Sequence, residues 1–316
     1  MAKTQKKVII IKEVIMVNIN ENFKGVITPL ITPFKKDFSI DYEALDNLLD
    51  FLISHNIDGF FVNATTGEFT SLMHEEKKEF AKFVLSKAKG KALSLLNITS
   101  TVHEEIKDLI LFAKENVFDG IVSTPPFFLI PDSQGLYDHF KEISEYGLPT
   151  FIYNIPAATG YSIPDSTVIK LVEDCPNISG IKITYDSLEY VKSIIIHGKE
   201  KRNFLVFTGI ETYFVSTLIS GGNGGVVALS NFAPELFKNA IAAFINKDFD
   251  SLMNANEKIQ RLSEIYKYSN SFASAIKISL NLLGFKLETI TRKPLETRTT
   301  NLEKMKEILN EVLRKE

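Results

Sequence analysis

Lys182 stands between two isoleucines in "SGIKITYD" (179–186), a run whose composition reads as a buried strand. Side chains alternate along a strand, so Ile181 and Ile183 share one face and Lys182 takes the other. Burying an unpaired ammonium is costly. Either the stem snorkels to water, the commoner fate of a strand lysine, or desolvation holds the side chain as a neutral amine. A neutral amine attacks a ketone and forms a Schiff base. Tyr153, near the end of "PTFIYN" (149–154), offers a hydroxyl for proton transfer beside such an amine. "NATTGE" (63–68) places two hydroxyls, Thr65 and Thr66, before a glycine turn. That turn reads equally as a helix cap or as a cradle for a small carboxylate. "GGNGG" (221–225) reads first as a tight turn and second as a phosphate cradle.

Short β-branched or aromatic runs alternate with helical ones and would position these groups. Strands are expected at 25–32, 58–64, 92–98, 119–124, 149–154, 178–184, 204–209 and 224–229. The intervening segments 42–54, 74–89, 102–115, 134–146, 165–174, 186–197, 211–220 and 234–246 keep helical spacing. Eight strand–helix units predict an α/β fold, a (β/α)8 TIM barrel. Three further helical stretches, 248–267, 272–284 and 302–314, form a C-terminal helical appendix. The expected organisation is an N-terminal extension (1–23), the barrel (24–247) and a helical region packed on it (248–316). An open doubly wound sheet is the weaker reading, because no GxGxxG opens a helix. In a TIM barrel the chemistry sits at the C-terminal ends of the strands. Thr65, Thr66, Tyr153, Lys182 and Gly209 then share one rim, with Lys182 pointing inward and its isoleucines facing the helices.

Composition narrows the chemistry. Lys+Arg 36 against Asp+Glu 39 gives a net charge of −3, so no basic field exists for nucleic acid and a small-molecule substrate is expected. One cysteine, Cys175, excludes an intrachain disulfide. The five histidines are scattered singly, so neither a metal nor a cofactor is expected. No apolar run reaches the roughly 18 residues of a membrane span, and a cytoplasmic protein is expected.

Together the motifs "GVITPLITPF" (25–34), "NATTGEFTSL" (63–72), "YNIPAATG" (153–160), "GIK" (180–182) and "GGVVALSNFAPE" (224–235) resemble the pyruvate-dependent class I aldolase family. That family includes dihydrodipicolinate synthase, N-acetylneuraminate lyase and the archaeal 2-keto-3-deoxygluconate aldolases, and the resemblance covers roughly residues 24–300. It implies that Lys182 is the Schiff-base residue and Tyr153 the proton donor and acceptor. Thr65 and Thr66 would hold the pyruvyl carboxylate, with Thr66 joining the proton relay. Gly209 and the Val226 carbonyl would line the pyruvyl pocket and Pro29 its floor. A homotetramer is implied as well.

The departures bear on the second substrate. Ala158 stands where the synthases carry an arginine for a second carboxylate, and the first arginine of the chain is Arg202. In "TPPFFLIP" (124–131), Phe127, Phe128 and Ile130 occupy a stretch that is rich in tyrosine, with a following arginine, in promiscuous sugar-acid aldolases. The resemblance therefore implies reversible cleavage of 2-keto-3-deoxygluconate to pyruvate and glyceraldehyde, with the non-phosphorylated acid preferred. The alternatives are a synthase-type or N-acetylneuraminate lyase-type aldolase. From other classes, a phosphosugar isomerase or epimerase would use "GGNGG" for phosphate, and a catalytically silent barrel would do neither.

Overall fold

A computed structural model describes residues 23–313; the expected N-terminal extension lies outside them except for Phe23. The eight strands are β1 (Gly25–Pro29), β2 (Gly59–Val62), β3 (Leu93–Asn97), β4 (Gly120–Ser123), β5 (Thr150–Asn154), β6 (Ile178–Ile183), β7 (Leu205–Thr208) and β8 (Gly224–Val226). They close in sequence order into one parallel barrel, as the alternating pattern predicts.

Helices follow the strands with short connections, so each packs back on the sheet. They are α1 (Tyr42–Ser54), α2 (His74–Ala88), α3 (His103–Asn116), α4 (Ser133–Glu145), α5 (Pro156–Thr159), α6 (Asp165–Asp174), α7 (Leu188–Lys201), α8 (Phe214–Ile219) and α9 (Pro234–Ile245). The C-terminal region adds α10 (Phe249–Ser263), α11 (Phe272–Leu282) and α12 (Leu302–Leu313), with a 3-10 turn at Glu264–Tyr268. None of these helices is long and apolar enough to cross a membrane.

Two of the differences from expectation lie beside the strand ends that carry the candidate residues. β8 stops at Val226, and Ala228–Asn231 form a 3-10 turn instead of continuing the strand. The buried Glu211 carboxylate accepts from the N–H groups of Ala228 (2.9 Å) and Leu229 (3.3 Å), which replaces ladder partners. The short helix α5, opened by Pro156, was not expected in the strand-5 loop; proline at a first helical position is pre-set for a turn.

Alternation partitions the core as the strand period requires. Ile27, Phe61, Leu95, Val122, Phe151, Tyr153, Leu205, Phe207 and Val226 pack inside the barrel. Ile152, Ile181, Ile183 and Val206 face out and pack with Val168, Leu171, Val191 and Ile194 of α6 and α7. Each such side chain taken from water contributes on the order of 1.5–3 kcal/mol.

The glycine run 221–225 leads into β8, and its Gly224 pairs with Gly25 at the start of β1. It therefore lies at the N-terminal end of the barrel. Gly224 has φ +114, and a Cβ there would stand 2.1 Å from the Gly25 carbonyl, so the two backbones can meet only at a glycine. Asn223 accepts from Val206 N–H at 3.0 Å and donates to the Phe23 carbonyl at 2.7 Å. The tight-turn reading holds. The phosphate-cradle reading fails, because this turn is at the opposite end of the strands from Lys182.

Candidate active site

Lys182 points into the barrel beside Tyr153. The two residues are directly paired in the β5–β6 register, and Lys182 Nζ lies 4.0 Å from the centre of the tyrosine ring. Phe61, on β2 across the interior, presents its ring 4.8 Å from the same nitrogen. Phe61 and Tyr153 meet edge to face at 5.8 Å, so the lysine head sits against a fixed aromatic corner. Below it, Phe61, Leu95, Val122, Phe151, Phe207 and Val226 leave a void of only about 10 Å3. A reactant can reach Nζ only from the rim.

The lysine is 6% exposed, and among the described residues it has neither a hydrogen-bond partner nor a carboxylate within 4 Å. Lys277 is the instructive contrast, since "AIKIS" (275–279) repeats the Ile-Lys-Ile pattern of "GIKIT" (180–184). Lys277 is fully buried on α11, and its Nζ donates to Glu68 Oε1 at 2.6 Å and to the Ile290 carbonyl at 2.7 Å. Burial pushes Lys277 down to about 8, and the adjacent Glu68 carboxylate partly offsets that. One lysine has its counter-charge and the other has an aromatic surface and open space above.

The Thr65–Thr66 turn lies at the C-terminal end of β2. It is bracketed by Asn63 (φ 56) and Glu68 (φ 59), both left-handed. Non-glycine residues hold that conformation at a cost of about 1–2 kcal/mol each, so the surroundings must impose it. Asn63 Nδ2 donates to the Lys77 carbonyl at 3.1 Å, and Asn97 Nδ2 donates to the Asn63 carbonyl at 2.8 Å. Neither threonine caps a helix: the following 3-10 turn has Glu68 at its N-cap and α2 has Met73. The capping reading therefore fails, and among the described residues both hydroxyls lack a protein partner. Thr66 is buried and Thr65 exposed.

Pro29 and Val226 are buried at the C-terminal ends of β1 and β8. Gly209 follows β7, where its N–H donates to the Ile183 carbonyl at 2.7 Å, and a Cβ on it would stand 2.9 Å from Lys182 Cε. The structure thus brings Lys182, Tyr153, Thr66, Pro29, Gly209 and Val226 to one end of the barrel. Ala158 is exposed on α5, out on the rim. Phe128 is 91% exposed, with Leu129 at 80% and Ile130 at 59%, on the loop between β4 and α4. It borders a cleft of about 560 Å3 with Ser100, His103 and His139, and Lys182 is not among the residues that line that cleft.

Three groups escaped the sequence reading. Thr184 is two residues beyond Lys182 and thus on the same face of the strand, and its buried Oγ1 has no partner. That spacing was legible. Phe61 was legible as apolar but not as the ring under the lysine, because Phe60 and Phe61 look alike in sequence. Tyr161 ties two rim loops, its hydroxyl donating to the Pro126 carbonyl at 2.7 Å, and desolvation pushes it up to about 12, so it stays a neutral phenol.

Comparison with known proteins agrees with this geometry. The dihydrodipicolinate synthetase family matches residues 22–313. An uncharacterized DapA-like lyase of Thermococcus kodakarensis is 38% identical over 297 residues, covering 92% of this chain and all of the relative. A probable 2-dehydro-3-deoxy-D-pentonate aldolase, YjhH of Escherichia coli K12, is 31% identical over 277 residues, 87% of this chain and 92% of that protein. The crystal structure of YagE, a prophage protein of the dihydrodipicolinic acid synthase family from E. coli K12 in complex with pyruvate, superposes with a TM-score of 0.89 at 28% identity, over 92% of this chain and 98% of that one. With the family match spanning nearly the whole chain and the barrel shared in full, the chain belongs to the dihydrodipicolinate synthetase family and is a carbon–carbon lyase.

Proposed function

We propose that the chain is a Schiff-base aldolase that reversibly cleaves 2-keto-3-deoxygluconate to pyruvate and glyceraldehyde. The observation that carries this is the partnerless Nζ of Lys182, a residue 6% exposed, against the ring of Tyr153. The amine adds to the C2 ketone and water leaves, giving a protonated imine. A base removes the proton of the C4 hydroxyl, the C3–C4 bond breaks as the aldehyde forms, and its electron pair enters the imine to give an enamine. Protonation at C3 and addition of water then release pyruvate and the free lysine. Tyr153 is assigned the proton transfers, with Thr66 in the relay. Thr65 and Thr66 take the carboxylate, Pro29, Gly209 and the Val226 carbonyl line the pyruvyl pocket, and the Thr184 hydroxyl faces the acceptor. No cofactor or metal is needed for these steps.

Preference for the non-phosphorylated acid is supported by the placement of the arginines. Arg292 is committed to Glu76 and Arg202 to the Cys175 carbonyl, so neither supplies a clamp at the lysine. A five-carbon 2-keto-3-deoxy acid is the second reading, favoured by the resemblance to the pentonate aldolase. It would release glycolaldehyde in place of glyceraldehyde. The enzyme is further proposed to be a cytoplasmic homotetramer; the exposed run Phe128–Ile130 suits coverage by a second copy. Size-exclusion chromatography at monomer mass would refute the assembly.

The test is to incubate the protein with pyruvate and borohydride and map the adduct by peptide mass. A pyruvyl adduct on Lys182, lost in Lys182→Ala, is expected. Its absence sinks the aldolase reading and favours a catalytically silent barrel. A rate on the 6-phosphate equal to that on the free acid overturns the specificity.

A further inference from the structure

Two buried carboxylates flank the proposed pyruvyl pocket, and both are held by the C-terminal helices. Glu68, three residues beyond Thr65, accepts from Lys277 Nζ at 2.6 Å through Oε1 and from the Arg292 N–H at 2.9 Å through Oε2. Lys277 and the Arg292 guanidinium lie against the ring of Phe34, at 4.4 and 4.6 Å from its centre. Arg292 continues to Glu76 on α2 with two contacts of 2.6 Å. On the other side of the pocket, Glu211 holds the N–H groups of Ala228 and Leu229, just beyond Val226, and accepts from the Tyr266 hydroxyl at 2.8 Å.

The two loops flank one strand, because β2 and β8 are the neighbours of β1. They are laced to its end as well: Thr32 Oγ1 donates to the Gly67 carbonyl at 2.7 Å and Asn231 Nδ2 to the Pro29 carbonyl at 3.0 Å. A buried ion pair adds little stability over well-packed apolar residues, so stability alone does not explain Glu68 and Lys277. Glu68 is also left-handed, and released from its partners it would relax and turn Thr66 with it.

We infer that Lys277 and Tyr266 are positioning residues: through Glu68 and Glu211 the C-terminal helices set the spacing between the Thr65–Gly67 turn and the Val226–Leu229 backbone. The inference rests on the aldolase reading for its ligand, pyruvate, although neither residue touches it. The consequence is a split effect, in which pyruvate binding weakens while the chemistry at Lys182 is spared.

The test compares the full-length chain with two variants. Glu68→Gln/Lys277→Met removes both charges, so no ion is left alone in the core, and Tyr266→Phe removes one hydroxyl. Borohydride trapping is followed against pyruvate concentration, and hydrogen exchange is followed in peptides covering 63–72 and 226–232. The double variant is expected to need about tenfold more pyruvate for half-maximal trapping, a change of 1.4 kcal/mol, with the maximal rate within about twofold. Exchange should quicken in 63–72 for the double variant and in 226–232 for Tyr266→Phe, but not in β3–β6. Unchanged half-saturation with only a lower melting temperature overturns the inference, as does exchange that quickens evenly over the barrel. If the parent protein traps no pyruvate, the aldolase reading falls, while the exchange pattern still decides the positioning role.

Discussion

Replacing each of the two Ile-Lys-Ile lysines by methionine should move stability in opposite directions. At Lys182, a residue 6% exposed, the change removes an amine that has no partner among the described residues and keeps open space above it. Burying a polar group without a hydrogen bond costs about 1–3 kcal/mol in proteins. The contacts with the Tyr153 and Phe61 rings, at 4.0 and 4.8 Å, return part of that, about 0.5–2 kcal/mol. Lys182→Met is therefore expected to gain about 1 kcal/mol, with all activity lost, the pattern of a residue kept for function at the expense of stability. At Lys277 the same substitution leaves Glu68, itself fully buried, without its 2.6 Å partner. An uncompensated buried carboxylate costs about 3–5 kcal/mol. Thermal melts in one buffer read the difference, because about 1 kcal/mol shifts the midpoint of a protein this large by roughly 2–4 °C. Lys182→Met should melt a few degrees above the parent and Lys277→Met about 10 °C below it. Two substitutions of equal effect would refute the distinction between a paired and a free buried lysine. So would a neutral Lys277→Met.

Gly209→Ala places a Cβ 2.0 Å from Thr184 Oγ1, 3.1 Å from Thr184 Cβ and 2.9 Å from Lys182 Cε. Rotating the hydroxyl relieves only the first contact, so the lysine must retreat; a displacement of about 1 Å costs about 10²-fold in the rate of pyruvate trapping, and an unchanged rate would show that the pocket has slack. Tyr153→Phe keeps the ring facing Lys182 and removes the hydroxyl, so aldol cleavage should fall about 10²–10⁴-fold while the adduct still forms; steady-state kinetics with a loss under tenfold would exclude the proton role. Burial lowers His139 from its ordinary 6.5 to about 4, and the groups facing it are the Thr124 backbone, His103 and Glu142. The unfolded chain therefore takes up this proton first, and its contribution, ~3 kcal/mol in full, is present above pH 6.5 and lost as pH falls toward 4. His139→Gln should flatten the melting temperature over that window, and a parallel pH profile would refute the assignment.

What the sequence made legible is what depends on period. Helices 42–54 and 165–174 appear with the expected ends, because Leu45, Leu48, Leu49 and Leu52 in the first, and Val168, Leu171 and Val172 in the second, return to one face. The inward register of Lys182 follows from the same arithmetic, and β5–β6 pairing sets Tyr153 beside it. The loop readings fared differently. Thr65 and Thr66 read as a cap or a cradle until the left-handed Asn63 and Glu68 showed that no helix begins there. "GGNGG" carries the composition of an anion loop, but composition does not say at which end of a strand the glycines fall.

The lysines sharpen the point. "GIKIT" and "AIKIS" give the same local argument about burial, and only one of them has a carboxylate 209 residues away in the chain to answer it. A lysine on a strand whose opposite face is all isoleucine must enter the barrel, where every neighbour is an inward side chain from another strand. In this barrel those neighbours are aromatic or aliphatic, so the amine meets no charge. A lysine on an amphipathic helix can instead be matched by any acidic loop the helix covers. The β2 turn supplies one in Glu68, two residues after Thr66. The residue that makes Lys277 inert is therefore part of the same turn that is proposed to bind the substrate of Lys182, which is why the C-terminal helices matter to a site to which they contribute no group.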